Sequence, residues 1–297
     1  MRVLLAPGGL WPEPAGVPLV GSVGGLPAGC VAGCLARGWR SSRPDDVLTL
    51  LPMVDGGPGS AQAICPERIA SREAIQGRGP LGQVREVDLV RLVPGPQRAG
   101  SRRPGEGRTW FLDAARLLAL PADPDEGTQE ALQGSTYGLG QAIGAALSRT
   151  HSSDTLLVGL SRSAVHDGGA GALDALGGVA AAMDLLAGRS LGLVLADDIA
   201  LGGMNGAGAA LADVTSLGPR QAQELDRRAC AAATEAVNAT SAIRKSSSGG
   251  QRTLPVVSAL DGAQMPSASA AADSGGMGRL GASVWGTGAA GGSAMAL

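Results

Sequence analysis

Aromatic residues are scarce in this chain. Its 297 residues include 4 Trp, 1 Tyr and 1 Phe. Platforms of several stacked rings, the usual device for gripping single-stranded nucleic acid, cannot be built from so few. Lysine is scarcer still: Lys245 is alone among 24 basic residues, and the rest are arginine. Neither sign of charge is in excess, with 24 basic against 26 acidic residues and a net charge of −2. A general nucleic-acid binder would carry a strong basic surplus. No stretch offers 18 uninterrupted apolar residues, so no spanning helix and no membrane partner is expected. The apolar stretch before Leu26-Pro27-Ala28-Gly29-Cys30 is broken by Pro7, Pro12, Glu13, Pro14 and Pro18. A secretion signal needs a continuous apolar helix, so this stretch does not read as one. The histidines are His151 and His166, and the cysteines Cys30, Cys34, Cys65 and Cys230 lack the paired spacing of a structural zinc site. They read as buried or idle thiols, and the reducing setting that follows is cytoplasmic.

What is present is small and apolar. Hydrophobic residues make up 44% and there are 48 Gly. The length suits two ordinary domains or one large one, with a core of Ala, Val and Leu in closely packed elements. Strands are expected at 2–6, 47–53, 84–93, 154–160, 191–196 and 255–259. Helices are expected near 30–37 and over 138–149, 170–187 and 219–237. The last of these opens on Pro219 and carries Ala222, Leu225, Ala229, Ala233 and Ala236 on one stripe. Residues 246–250 read as a flexible joint and the tail from 266 as near low complexity. The alternation of strand, loop and helix is that of the α/β class with a mainly parallel sheet.

In such folds ligands sit at the carboxyl ends of strands. Here three expected strand ends carry acids beside or before glycine: Asp55, Asp167 and Asp197-Asp198. Glycine lets backbone N–H groups approach an anion, and an Asp in the same loop can hold Mg²⁺ or accept a hydroxyl proton. Together these suit phosphoryl transfer. The plainer reading is that Asp-Gly-Gly makes a tight turn. There is no Walker lysine motif and no kinase-type catalytic loop.

Pro52-Met53-Val54-Asp55-Gly56-Gly57-Pro58-Gly59 resembles the P-M-A-D-G-G-E-G segment of the bacterial type I glycerate kinases. Gly79-Pro80-Leu81-Gly82 and Ser135-Thr136-Tyr137-Gly138-Leu139-Gly140 are similar to that family's G-P-L-G and T-T-Y-G-x-G. The stretch from Gly159 through Gly169 to Leu176-Gly177 resembles G-I-G-G-S-A-T-N-D-G-G and its sequel. Asp198 with Asn205-Gly206-Ala207, then Gly218-Pro219-Arg220, and finally Gly286–Gly292 follow in the family's order.

The resemblance implies ATP-dependent, Mg²⁺-assisted phosphorylation of D-glycerate or a similar small hydroxy acid. It implies two α/β domains with the site between them. One is Rossmann- or flavodoxin-like, from 1–78 plus about 281–297 and incomplete on its C-terminal side. The other is inserted at 79–280. Asp55 and Asp167 are the implied catalytic acids and Mg²⁺ ligands. Gly56, Gly57, Ser163, Gly168, Gly169 and Asp198 would line the substrate and nucleotide site.

The chain departs from the pattern in its first loop. Ala6-Pro7-Gly8-Gly9-Leu10-Trp11 stands where the family has A-P-D-S-F-K, so the Asp, Ser and Lys are gone. The family also continues past A-A-G-G into a G-E-G-x-x-D loop that lies beyond Leu297. Arg162 could replace the missing lysine by forking onto phosphate. A sheet edge left open would favour a homodimer. The alternative reading is a member without turnover that binds a ligand or a partner protein. His166 stands at a family Asn and reads as a solvent-facing turn residue. Arg98, Arg102, Arg103 and Arg108 read as a solvated loop, and the scattered Trp11, Trp39, Trp110 and Trp285 as packing.

Overall fold

The computed structural model of the chain describes residues 1–10, 25–94, 107–246 and 281–297. Among them, seven strands form two sheets. β1 (Arg2–Leu5) and β2 (Val47–Leu50) are a parallel pair, with helix α1 (Ala28–Ser42) between them in the chain. The larger sheet contains β3 (Ile69–Arg78), β4 (Val84–Leu92), β5 (Thr109–Leu112), β6 (Thr155–Leu160) and β7 (Ser190–Leu195), in that spatial order. β5, β6 and β7 are parallel, whereas β3–β4 and β4–β5 are antiparallel. The sheet is therefore mixed rather than mainly parallel. The difference comes from β4, which runs against both of its neighbours; its hairpin partner β3 was not found by sequence reading. Apart from Ile75 and Gly77 its residues face solvent or are only half-buried, so it lacks the apolar run that marks a buried strand.

Side chains alternate across this sheet with the period of two that pleating imposes. Leu89, Leu112, Leu156, Val158 and Leu160 point to one face, where Leu139, Ile143, Ala146 and Leu147 of α4 (Tyr137–Leu147) join them in the main core. Val90, Phe111, Leu157 and Val194 point to the other face and meet Val54, Ala61 and Ile64. The segment 54–64, with the short helix α2 (Ser60–Ala63), is thus a lid over the second face. It brings the Asp55 loop to the sheet.

The remaining helices are α3 (Pro124–Gln133), α5 (Ala170–Ala175), α6 (Gly178–Leu186), α7 (Ala207–Val214), α8 (Pro219–Ser246) and α9 (Ser293–Ala296). The single helix expected over 170–187 is two, because Gly177 and Gly178 between them adopt φ of +88° and +89°. α8 buries Ala222, Ala229, Ala233 and Ala236, the stripe its spacing marks. α3 escaped sequence reading although its cap is regular: Pro124 stands in its first turn and Asp123 accepts the Asp125 N–H at 2.9 Å.

The boundary expected at 78/79 lies in the β3–β4 hairpin, where Gly79 N donates to Gln83 O at 2.7 Å. Of residues 281–297, Ala289 and Ala290 join the main core and Met295 packs on Ala229 and Ala233 of α8. The strand expected at 255–259, the joint at 247–250, the tail from 266 to 280, Trp11 and Arg98, Arg102 and Arg103 lie outside the described residues. No helix among the described residues is long and apolar enough to cross a membrane.

Candidate active site

The parallel direction of β5, β6 and β7 puts their carboxyl ends on one side. Asp113, the loop from Ser161 and the loop from Ala196 therefore leave the sheet together. The Asp55 loop arrives from β2 and packs on the same end. Gly56 has φ +92°, and a Cβ there would lie 2.1 Å from Val194 O. A Cβ on Gly57 would come within 3.5 Å of the Ala196 Cβ. Glycine at 56 is what lets this loop touch the backbone of β7.

Asp55 Oδ1 accepts the Gly57 N–H at 2.9 Å and the Ser60 hydroxyl at 3.0 Å, while Gly56 N donates to Ser60 Oγ at 3.0 Å. Oδ2 accepts no hydrogen bond among the described residues. It faces Gly8, whose Cβ, if present, would stand 2.6 Å away. The altered first loop thus still reaches the Asp55 carboxylate, but with backbone alone.

Asp167 is differently placed. Thr136 donates to it from N at 2.9 Å and from Oγ1 at 3.0 Å to Oδ1 and 2.9 Å to Oδ2. Gly169 N donates at 2.9 Å, Gly171 N at 3.3 Å and Ser135 Oγ at 3.5 Å. Both oxygens are taken by donors that tie the start of α4 to the start of α5. Asp167, implied as a catalytic acid and Mg²⁺ ligand, thus has both oxygens already accepting hydrogen bonds from within the protein. Gly168 and Gly169 follow it at φ +68° and +78°, packed on α8 and on Ser293 and Ala296 rather than open to a ligand.

Beyond β7, Arg162, Asp197, Asp198, Asn205 and Trp285 line a cleft of about 580 Å³. Arg162 Nε lies 3.7 Å from Asp197 Oδ2, an open ion pair, and the rest of the guanidinium has no partner among the described residues. Asp197 Oδ1 accepts the Ile199 N–H at 2.9 Å. Ser163 is buried, and its Oγ accepts the Val165 N–H at 3.1 Å, so it shapes the turn. The Arg162–Asp198 end of the predicted set converges on the cleft. Asp55 approaches from the Ala196 side, and Ser163, Asp167, Gly168 and Gly169 serve the framework.

Two other readings change. His166 is buried, not solvent-facing, with Nε2 3.4 Å from Asp226 Oδ1 of α8. Of the cysteines read as buried or idle thiols, Cys30, Cys34 and Cys65 are exposed and Cys230 is partly covered. There, burial followed by the nearby Asp226 charge pushes the thiol up to about 11. Trp285 is exposed and does not pack.

The structure also adds acids that sequence reading passed over. Asp113, just past β5, is fully buried; Oδ2 accepts the Ala61 N–H at 3.2 Å and Oδ1 has no partner among the described residues. Burial pushes its carboxyl up to about 6. It follows the apolar run Trp110-Phe111-Leu112, the same strand-end position that marked the other acids. Glu130 on α3 is also fully buried, 3.7 Å from Arg85 Nη2, with neither oxygen hydrogen-bonded among the described residues. Burial, only partly offset by Arg85, raises its carboxyl to about 7. No sequence signal distinguishes it from a surface glutamate.

Among the described residues no group of three or more His, Cys, Asp or Glu is arranged to hold a metal ion. Mg²⁺ does not need such a cage; it commonly takes one or two carboxylates, with water and substrate phosphate completing its shell. Asp55 through Oδ2 and Asp198 at the cleft are hard oxygen donors of that kind. The saturated Asp167 does not fit.

The profile of the glycerate kinase family matches residues 23–297. Glycerate kinase of Bacillus subtilis (strain 168) is 33% identical over 154 residues, 50% of this chain and 35% of that protein. Glycerate 2-kinase of Escherichia coli (strain K12) is 29% identical over 152 residues, 51% of this chain and 36% of that protein. The matched part is thus about a third of the length of these relatives. A Salmonella typhimurium LT2 protein assigned as glycerate kinase 2, known from its crystal structure, shares the fold with a TM-score of 0.56 at 20% identity. That likeness covers 100% of this chain and 69% of that one.

Proposed function

The chain belongs to the glycerate kinase family, and we propose that its site transfers a phosphoryl group from ATP to D-glycerate or a similar small hydroxy acid. The observation that carries this reading is Asp55 Oδ2, which accepts no hydrogen bond among the described residues and sits in a loop packed on Val194 and Ala196, next in the chain to Asp197 and Asp198 of the cleft. In the proposed reaction the hydroxyl oxygen of the acid attacks the γ-phosphorus. The bond from phosphorus to the bridging oxygen breaks, ADP leaves, and the hydroxyl proton passes to Asp55 Oδ2. Arg162 forks onto phosphate oxygens. Asp198 would hold Mg²⁺, which would supply charge neutralisation on the phosphates when bound, leaving Asp55 Oδ2 for the proton. The Gly56 and Gly57 turn fixes Asp55 against β7, so little reorganisation is needed when the charge moves.

The test is ADP release from purified protein given ATP, Mg²⁺ and D-glycerate. Release dependent on the hydroxy acid supports the reading, and none from folded protein overturns it. The turnover expected is below the ~10 s⁻¹ common among enzymes, because Gly8, Gly9 and Leu10 bring no side-chain charge to Asp55. Asp167 favours a second reading, a binder without turnover, since one acid of the implied pair is spent on the framework. Calorimetry showing ATP bound but not consumed would support that one.

A further inference from the structure

Tryptophan is a costly residue to leave in water, and Trp285 is 75% exposed while Trp110 is 5% exposed. Its place is nevertheless fixed. The next residue, Gly286, has φ +79°, and its N–H donates to Asp198 O at 2.7 Å. A Cβ at Gly286 would meet Leu195 at 2.6 Å. Gly288 N donates to Ile199 O at 3.0 Å. The backbone carrying the indole is therefore stitched to the loop that carries Asp197 and Asp198. Trp285 lines the same cleft as Arg162 and Asn205.

An exposed indole lining a cleft, with a guanidinium and an amide in the same cleft, suits a ligand that is planar and aromatic in one part and anionic in another. A small hydroxy acid has no ring to lay on it. The cleft, at about 580 Å³, is within the roughly 300–1,000 Å³ typical of sites for ligands of nucleotide size. We propose that Trp285 is the base platform of the nucleotide subsite, stacking on the purine of a nucleoside di- or triphosphate whose phosphates face Arg162. The Asn205 amide, which can both donate and accept, is the group in the cleft suited to the purine edge. This rests on the kinase reading and names the part of its site that selects the nucleotide.

The experiment compares binding of Mg·ADP and of Mg·tripolyphosphate, by calorimetry, to the wild-type chain, Trp285→Ala and Trp285→Phe. Stacking on a base is worth a factor of roughly 5–150. ADP should bind the wild type at least ~10-fold more tightly than tripolyphosphate. Trp285→Ala should remove that margin and leave tripolyphosphate unchanged, and Trp285→Phe should restore part of it. ADP should also shield part of the wild-type tryptophan fluorescence from acrylamide, and Trp285→Phe should lose that shielding, which separates Trp285 from Trp11, Trp39 and Trp110. Equal affinities for the two ligands in the wild type, or undiminished ADP binding by Trp285→Ala, would overturn the platform and leave the phosphate site standing. Failure of folded wild-type protein to bind either ligand would overturn both.

Discussion

The chain contains the same three residues, Asp-Gly-Gly, at 55–57 and at 167–169, and closes both with the same short-range hydrogen bond. In each, the aspartate Oδ1 accepts the N–H of the second glycine at 2.9 Å. At longer range they part. Asp55 has one oxygen without a hydrogen bond among the described residues, and that oxygen faces the backbone of Gly8. Asp167 gives both oxygens to Thr136 and the start of α5. The same three residues can thus leave one carboxylate oxygen without a donor among the described residues or tie both oxygens down as a rivet. The number of donors arriving from elsewhere decides which.

The strongest way to break this comparison is to remove the rivet. Asp167→Ala leaves the Thr136 and Gly171 N–H groups without their acceptor, and hydrogen bonds to a charged group are worth ~1.5–3 kcal/mol each. A loss of about 3–5 kcal/mol is expected in urea unfolding. An unchanged midpoint would show that water replaces the carboxylate there. Asp55→Asn should behave oppositely. Stability should move by less than ~1 kcal/mol, while turnover falls ~10²–10³-fold, checked by ADP release and thermal melting on one preparation.

Glu130 sharpens the comparison as the converse of Asp167, a buried carboxylate without hydrogen-bonding partners. Its folded value, raised to about 7 from 4.5, means the native chain holds a proton that the unfolded chain gives up. Stability therefore falls as pH rises from ~4.5 through ~7, and the full penalty remains above that. Glu130→Gln should be more stable than the wild type by about 1–3 kcal/mol at pH 8, with the gap closing towards pH 4.5. A constant gap across that range would assign the effect to packing. The smallest effect is expected at Arg162, whose ion pair is open. Arg162→Ala should change stability by under ~0.5 kcal/mol and weaken tripolyphosphate binding several-fold. A large loss of stability would show that Arg162 supports the framework, as Asp167 does.

Much of the scaffold was legible because burial writes a period into the chain. β6 and β7 are short apolar runs, and α4 and α8 carry their buried residues at helical spacing. β3 was not legible because an edge strand with few buried residues has no such period. α3 was missed because its buried positions include Gly127 and Glu130, which no pattern marks as core. At the candidate site, the sequence-predicted Asp55, Arg162 and Asp198 lie in the loops that follow β2, β6 and β7. Sequence could not separate Asp55 from Asp167, and it overlooked Asp113 and the exposure of Trp285.

The sequence by itself determined the local conformations: the Asp-Gly-Gly turns, the break at Gly177-Gly178 and the apolar faces of the strands. Each depends on residues a few positions apart, whose geometry the backbone limits. Only the tertiary structure decided what each carboxylate is for. Thr136 lies 31 residues from Asp167 in the chain, and Ala61 lies 52 from Asp113. Whether such distant donors meet an acid depends on how the elements pack, and that packing is what leaves Asp55 open.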